Sequence, residues 1–439
     1  MNRGDASEII LGVQVREAFI PLVVSFAEKG AHGLGLNKDE ALRLTLAVEE
    51  VFTYLCRTAA VDHRVEISCA SGGHFVQLVF TLPTEEFQMR PFNLTTPVSL
   101  QDEAGLDEIG LVLAARLVDR FRMSRTKHQT ITLTLIVEKT YPALVPEVSL
   151  AVQQVSSFSV HQPHTEELKL ASHLICQYYH GDFLPAFLSY PGKVVDMNSS
   201  GGLHAAVATG PTGTMAGAIL WQQLSKTTVE CFGPYVFGQP PGLGLREELL
   251  DTCLHALARS HVVALINRFP TQDFPDTHFE LLGSFSIHGV NGSPRQSKAW
   301  FRLLHEDPGC TVWGHPDIQE FLRSEYQRLV LPRHIQLASS EGEEQAAYSV
   351  ISADVDRVQA QATLQPAWPG RDMSENVSRH VQLLLHEGLR NLFFMVDLSQ
   401  AWQAAFIGAL LPNGFRPCLI LPHAGEGDLL LFQFEGPAA

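Results

Sequence analysis

The sequence has little basic charge and no long apolar segment. Lys and Arg number 31 against 47 Asp and Glu, which gives a formal net charge of −16. Nucleic acids and anionic membranes bind basic surfaces, so this balance argues against either as the main partner. No apolar run is long enough to span a bilayer, and the N-terminus shows no apolar core of a signal peptide. We therefore expect a cytoplasmic protein.

Paired cysteines are also lacking. The seven cysteines are scattered, and none belongs to a Cys-x-x-Cys motif. Their odd number and irregular spacing are typical of buried free thiols in a reducing compartment, and we expect neither a disulfide framework nor a metal site. With 45% hydrophobic and 18% charged residues the chain is globular in composition. Its 439 residues exceed one ordinary core and predict two to four domains.

Residues 1–140 mix helical and strand patterns. Apolar periodicity predicts helices at about 14–30, 38–59 and 106–121. Alternation predicts strands near 65–68, 75–80 and 130–137. This mixture predicts an α+β unit with helices on one face of a mainly antiparallel sheet. A loop of about 20 residues after the second strand is long for a compact domain, which is typical of a functional or mobile segment.

Residues 141–156 have the composition of a linker, and two further units follow at 157–300 and 301–439. In the second unit a strand pattern at 262–266 precedes a predicted helix near 275–282, with Gly283 as its end. In the third unit helices are predicted at about 316–331, 373–389 and 399–411, and strands at 392–397 and 429–434. The predicted order of elements in the third unit, strand–helix–glycine–strand, is similar to that of 262–290.

The most informative segment is Gln239-Pro240-Pro241-Gly242-Leu243-Gly244, which lies between a strand pattern and a helix pattern that begins at Leu245. Glycines allow a positive φ and a close approach of the backbone to a ligand. The first turn of the following helix offers free N–H groups and the positive end of the helix dipole. This combination favours a bound pyrophosphate over a plain turn.

The pattern Gln-x-x-Gly-x-Gly at this place resembles the cofactor loop of the GNAT acyltransferase superfamily, in which backbone amides hold the pyrophosphate of acetyl-CoA. The resemblance extends over about 158–300, with the family's order of elements. It implies that the cofactor is acetyl-CoA or another acyl-CoA. The implied cofactor-binding residues are Gln239, Gly242, Leu243, Gly244, Leu245 and Arg246.

Two features depart from that family. Pro240 and Pro241 each remove an N–H from the loop. Phe279 stands where many members carry the tyrosine that protonates the departing thiolate. A general base must also accept a proton from the acceptor amine, and Glu230, on the strand that leads to the loop, is the implied catalytic residue. The alternative interpretation of Glu230 is a charge on the solvated edge of a strand.

The first unit resembles histidine-kinase-type ATPases across about 10–138, and is closest to the bacterial anti-sigma-factor serine kinases. Glu50 aligns with their catalytic glutamate, but Tyr54 replaces the Mg²⁺-binding asparagine, and phenol is a weak ligand for a hard cation. The family's Asp-x-Gly-x-Gly loop falls at 82–87, where the required residues are absent. Its second glycine box remains only as Gly105 and Gly110. The resemblance implies an α/β sandwich that binds neither ATP nor Mg²⁺.

The third unit resembles a second GNAT-like half that has lost the Gln-x-x-Gly-x-Gly loop. Its segment Gly425-Glu426-Gly427-Asp428 places acidic groups where a phosphate would need amides, which predicts a turn. The whole chain is thus predicted to be α+β. A degenerate histidine-kinase-like ATPase domain at 1–140 and a linker at 141–156 precede tandem GNAT-like mixed-sheet domains at 157–300 and 301–439.

Two functions of different classes follow. The leading hypothesis is a bacterial N-acyltransferase that moves an acyl group from acyl-CoA to a small-molecule or protein amine, because positioning alone can supply much of such a rate. The alternative is a non-catalytic regulator. In it residues 1–140 bind a regulatory protein partner, as anti-sigma domains do, and the GNAT-type region senses acyl-CoA or acts as a scaffold. A third hypothesis, an ATP-dependent kinase, is disfavoured by Leu82 and Tyr54.

Overall fold

The computed structural model describes residues 8–58, 63–83, 93, 95, 103–125, 130–145, 149–179, 183–289, 294–338, 346–357 and 359–436. Within these residues the chain is α+β, with three large sheets and a separate sheet of two parallel strands. We call residues 8–138 the first unit, 159–303 the second unit and 310–434 the third unit. All seven cysteines are free thiols.

The first unit is a sheet with its helices packed on one another. Its strands are β1 (Glu8–Gln14), β2 (Arg64–Ser71), β3 (Phe75–Pro83), β4 (Arg120–Arg125) and β5 (Thr130–Glu138). They form an antiparallel sheet in the order β1-β2-β3-β5-β4. Its helices are α1 (Ile20–Gly33), α2 (Lys38–Thr58) and α3 (Glu103–Leu117). Asn37 caps α2 by accepting the N–H groups of Asp39 and Glu40 at 2.9 and 3.0 Å.

The sequence patterns predicted α2 and strands β2, β3 and β5, and the structure confirms them. Two predictions were wrong at their edges. The first helix, predicted from about residue 14, begins only at Ile20. Residues 8–14 ahead of it form β1, because the backbone of β2 supplies a partner strand for Ile9, Ile10 and Leu11. The third helix ends at Leu117, and β4 follows. Most of the long loop, including 84–87 of the expected ATPase glycine loop, lies outside the described residues.

The second unit contains a mixed sheet between two helical layers. Its strands are β6 (Ser159–His161), β7 (His204–Thr209), β8 (Met215–Gln223), β9 (Thr228–Val236), β10 (Ala264–Asn267), β11 (Glu280–His288) and β12 (Pro294–Leu303). The order is β11-β12-β10-β9-β8-β7-β6. The pair β9–β10 is parallel and the others are antiparallel. Helices α4 (Thr165–Tyr178) and α5 (Pro191–Ser199) cover one face, and α6 (Leu245–Leu257) covers the other.

The predicted helix at 275–282 is wrong. Residues 276–278 make a single 3-10 turn, and β11 begins at Glu280. This segment is a strand because it pairs with β12 and packs against the third unit, and neither partner is local. Gly283 lies inside β11 with φ 154°, and a Cβ there would lie 2.9 Å from the Cys418 carbonyl oxygen. Glycine is therefore required by the contact between the units.

The third unit repeats part of this topology. Its strands are β13 (Cys310–Gly314), β14 (Arg333–Leu337), β15 (Val350–Asp356), β16 (Gln361–Trp368), β17 (Asn391–Asp397), β18 (Phe415–Leu421) and β19 (Leu429–Phe434). Its helices are α7 (Gln319–Arg328), α8 (Met373–His386), α9 (Ala401–Ala404) and α10 (Ile407–Leu410). The sheet order β15-β16-β17-β19-β18 follows the order β8-β9-β10-β12-β11, and β16–β17, like β9–β10, is a parallel pair joined through a helix. The predicted helix 399–411 is two short helices.

The three units contact one another. Strands β11 and β18 adjoin, and the Gln433 side chain accepts the Ser286 N–H at 2.8 Å. Val350 and Ala367 of the third unit are buried in the core of the first. Lys193 of α5 lies 2.5 Å from Glu138 of β5 and so joins the second unit to the first. The predicted acyl-CoA loop therefore belongs to a unit that contacts both the first and the third unit.

Candidate functional site

The predicted loop follows a stretch of β9 that extends beyond its parallel partner β10. Strand β10 pairs with β9 from Thr228 to Glu230, and β9 then continues six residues further to Val236. Residues 237–244 connect the end of β9 to α6. A separation of parallel strands next to a helix N-terminus creates a crevice at the carboxyl ends of the strands, a place where α/β proteins bind ligands.

The backbone of this loop leaves the first turn of α6 open. Gly244 is its N-cap with φ 72°, a left-handed conformation that favours glycine. Among the described residues no side chain caps the helix, and no atom lies within 4 Å of where a Cβ would stand on Gly242 or Gly244. The N–H groups that start a helix have no partner four residues earlier, and they carry the positive end of its dipole. An uncapped helix start of this kind is compatible with a bound anion.

The predicted cofactor residues occupy different positions. Gly242, Leu243, Gly244, Leu245 and Arg246 follow one another through a 3-10 turn into the first turn of α6. Leu245 is buried and anchors this turn in the core, whereas the Arg246 side chain is 30% exposed, with its Nε 3.4 Å from Glu247. Their backbone groups are thus placed together, although the carboxylates of the first turn oppose an anion.

Gln239 is turned toward the linker. Its side-chain oxygen accepts the Val155 N–H at 2.9 Å, and its Nε2 donates to the carbonyl oxygens of Gln153 at 3.1 Å and Phe237 at 2.9 Å. The side chain therefore fastens the segment 153–155 to the loop. In this structure it supports the loop and does not face its open side.

The predicted catalytic residue Glu230 is buried, with 1% of its surface exposed. Its interpretation as a solvated strand edge is therefore wrong. Arg268 binds both carboxylate oxygens, with Nε at 2.5 Å and Nη2 at 2.9 Å. Burial alone would lower the pKa of Arg268, but the Glu230 carboxylate raises it, so the guanidinium stays charged. No local sequence pattern indicates this partner, because Arg268 is 38 residues from Glu230.

Aromatic rings surround the Glu230–Arg268 pair. The guanidinium carbon lies 5.9 Å from the centre of the Phe269 ring, a cation–π distance. Phe183 stacks on Phe269 with ring centroids 4.9 Å apart, and Phe187 meets Phe232 edge to face at 5.4 Å. The carboxylate thus lies in a low-dielectric environment on the α4–α5 face of the sheet.

Side chains bridge the edge of β9 beyond the point where β10 leaves it. Asn267 donates to the Gly233 carbonyl oxygen at 3.0 Å, and Thr271 donates to that of Pro234 at 3.3 Å. The Val236 N–H donates to the hydroxyl of Tyr179 at 2.6 Å. These contacts satisfy an edge that would otherwise lack partners. No local sequence pattern points to Asn267, Thr271 or Tyr179.

Among the described residues, the ATPase-like positions of the first unit lie in its core or against a helix. Tyr54 and Leu82 are buried in the apolar core, each 3% exposed. Glu50 lies against Gly110 of α3, where a Cβ would clash with its carboxylate. Two cavities, of about 920 and 870 Å³, lie between the units, and their lining residues do not include the loop 237–246.

The described part of the chain lacks two further kinds of feature. No group of three or more His, Cys, Asp or Glu side chains has the arrangement of a metal site there. No helix of that part is both long and apolar enough to cross a membrane.

Solved acetyltransferase structures align with about a third of the chain. A GNAT superfamily phosphinothricin acetyltransferase from Sinorhizobium meliloti, in complex with AcCoA, is 15% identical, with a TM-score of 0.28 over 34% of this chain and 90% of its own. Ard1 from Thermoplasma volcanium is 13% identical, with a TM-score of 0.28 over 34% and 99%. An N-acetyltransferase from Staphylococcus aureus Mu50 is 12% identical, with a TM-score of 0.29 over 34% and 100%. No protein-family model matches the sequence, and no curated protein is significantly similar to it.

Proposed function

We propose that the second unit binds an acyl-CoA and transfers its acyl group to an amine. The observation that carries this proposal is the uncapped first turn of α6 behind Gly244, which follows the part of β9 that extends beyond β10. The amides of Gly242 to Arg246 would hold the pyrophosphate. The amide groups of the pantetheine arm would pair with the edge of β9 as an added strand does.

In the reaction the amine nitrogen attacks the thioester carbon, the C–S bond breaks, and CoA leaves as a thiolate. The amine must lose a proton, and Glu230 is the proposed acceptor, directly or through water. Arg268 orients this carboxylate and occupies one lone pair on each oxygen, which leaves others for the amine. With Phe279 in place of a hydroxyl donor, the thiolate would take its proton from solvent. Positioning would then supply much of the rate.

A non-catalytic regulator is the second candidate. The bidentate Glu230–Arg268 pair and the bridged edge of β9 favour it, because both satisfy within the protein groups that catalysis would use. In this alternative the second unit senses acyl-CoA or acts as a scaffold, and the first unit, proposed as a histidine-kinase-like fold without ATP chemistry, binds a protein partner such as a sigma-factor regulator. Recovery of such a partner from a bacterial lysate, together with absent acyl transfer, would favour this candidate.

Calorimetric titration with acetyl-CoA tests the binding step. We expect the unmodified protein to bind, and Gly244→Glu to lose binding, because a carboxylate would then stand at the anion site. Gly388→Glu is the matched control, since Gly388 also has a positive φ, 82°, and open space around its Cβ, but lies after α8. The control should bind as the unmodified protein does. Absence of binding by the unmodified protein at millimolar acetyl-CoA would refute the proposal.

A further inference from the structure

We propose that Tyr179 and Asp273 form a latch on the edge of β9 beyond Glu230, where the arm of the acyl-CoA would pair, and that the ligand must open this latch in order to bind. We call this edge the arm slot. The latch rests on the proposed function of the loop 237–246, and it regulates that same site. Tyr179 follows the last residue of α4, and Asp273 follows β10, so the two residues reach the end of β9 from different parts of the chain.

The Tyr179 hydroxyl is fully engaged at this point. It accepts the Val236 N–H at 2.6 Å and donates to the Asp273 carboxylate at 2.6 Å, while the Val236 carbonyl oxygen lies 3.2 Å away. The donation to a carboxylate is charge-assisted and therefore strong for a hydrogen bond. The ring is 3% exposed and packs edge to face on Tyr235, with centroids 5.1 Å apart. The hydroxyl is consequently held in one place.

The direction of the Val236 backbone groups shows that the latch bonds the edge of β9 that faces away from β8. The next residue, Phe237, donates its N–H to the Ala216 carbonyl oxygen, on the side of β8. Backbone groups alternate in direction along a strand, so those of Val236 face away from β8, toward the side that β10 has left. A ligand arm that extends the sheet along β9 needs the same N–H that Tyr179 occupies.

The latch and the proposed base Glu230 are at different ends of β9. Val236 is six residues beyond Glu230, and the two residues lie near opposite ends of β9. Tyr179 therefore bonds the end of β9 that leads into the loop, whereas the proposed base Glu230 lies near the start of the strand. Its role is to compete with the arm of the ligand, not to take part in acyl transfer.

Acetyl-CoA titration of Tyr179→Phe tests the latch. The phenylalanine ring keeps the contact with Tyr235 and frees the Val236 N–H, so we expect affinity to rise by about tenfold. Asp273→Asn, which weakens the bond that holds the hydroxyl, should give a smaller rise. Tyr141→Phe is the matched control, because Tyr141 also donates to a carboxylate, Asp196 at 2.7 Å, but at the contact with the first unit. Its affinity should equal that of the unmodified protein.

Amide hydrogen exchange at Val236 gives a second readout that needs no activity. The amide should exchange slowly in the unmodified protein, faster in Tyr179→Phe, and slowly again when that variant is saturated with acetyl-CoA. If the unmodified protein binds acetyl-CoA and neither variant binds it more tightly, the latch is refuted and the proposed function stands. If neither the unmodified protein nor Tyr179→Phe binds acetyl-CoA, the proposed function fails and the latch fails with it.

Discussion

Glu230 lies inside the second unit with both oxygens bound by Arg268, and this pair determines how much chemistry a single residue can perform there. A buried carboxylate requires a partner, because an unpaired charge in an apolar environment is costly. The same pairing fixes the carboxylate in one orientation, which suits a base that must meet an amine at one place. The pair is therefore compatible with two uses, a catalytic one and a purely structural one.

Glu230→Gln separates these two uses. Glutamine retains an oxygen that accepts from Arg268 but is not a base, so we expect the rate of acyl transfer to fall by about 10²–10⁴-fold. The dissociation constant for acetyl-CoA should stay unchanged, because the anion site lies at the far end of β9. Steady-state turnover of acetyl-CoA with an amine acceptor and calorimetric titration give the two quantities. An unchanged rate would show that Glu230 does not act as the base.

Helices α6 and α8 occupy corresponding places in the two sheets, yet their first turns differ. The α6 helix begins behind a glycine with a positive φ and has no side-chain cap among the described residues. At α8 the Asp372 carboxylate accepts hydrogen bonds from the N–H and the hydroxyl of Ser349. Asn376, in the first turn, donates to the Asn93 side chain and to the Ser349 carbonyl oxygen. Neither helix has a side-chain cap among the described residues, but the polar side chains at the start of α8 are bonded to Asn93 and Ser349, whereas Gly242 and Gly244 have open space around them. This contrast is the reason that we propose the ligand site at α6 and not at α8.

Substitution of the two loop glycines tests this description of α6. Gly244→Ala should lower the free energy of unfolding by about 1 kcal/mol, because alanine is strained at a φ of 72°. Gly242→Ala should leave it unchanged, since Gly242 lacks a positive φ and its surroundings are open. Chemical denaturation measures both. Equal effects of the two substitutions would contradict the left-handed conformation of Gly244.

At the scale of the whole molecule, buried polar side chains hold the three units together. Asn93 of the first unit donates to the Ser349 carbonyl oxygen at 2.7 Å and accepts the Ile351 N–H at 3.0 Å. Beside it His380 is fully buried, with Nδ1 2.9 Å from the Asn376 carbonyl oxygen. Burial lowers the pKa of His380 from 6.5 to about 4. The joint between the first and third units therefore contains a histidine that is neutral at physiological pH.

The stability of the protein should consequently depend on pH. The pKa of His380 is lower in the folded state, so the unfolded chain binds the proton first. The stabilisation is complete above about pH 6.5 and is lost as the pH falls toward 4. His380→Gln should flatten this part of the stability profile, and the exposed His255→Gln should not. Denaturation midpoints measured from pH 7 to 4 give the slopes, and identical slopes in all three proteins would contradict the prediction.

Features specified by local sequence were the ones predicted correctly. The strand, the glycine loop and the helix at 228–257 are visible because periodicity and glycine spacing act over neighbouring residues. The bridging contacts of Tyr179, Thr271 and Asn267 join residues 57, 37 and 34 positions apart, so no local pattern reveals them. The helix predicted around Phe279 failed for the same reason, because β12 and the third unit make that segment extended. The role of the loop as a cofactor site stays a prediction.

Amide hydrogen exchange across the starts of α6 and α8 tests the central claim most directly. At saturating acetyl-CoA, the amides of 244–247 should exchange more slowly than in the free protein, because they would hold the pyrophosphate. The amides of 373–376 in α8 should not change. Unchanged exchange at 244–247 with millimolar acetyl-CoA, or equal protection of both helices, would contradict an acyl-CoA site at this loop.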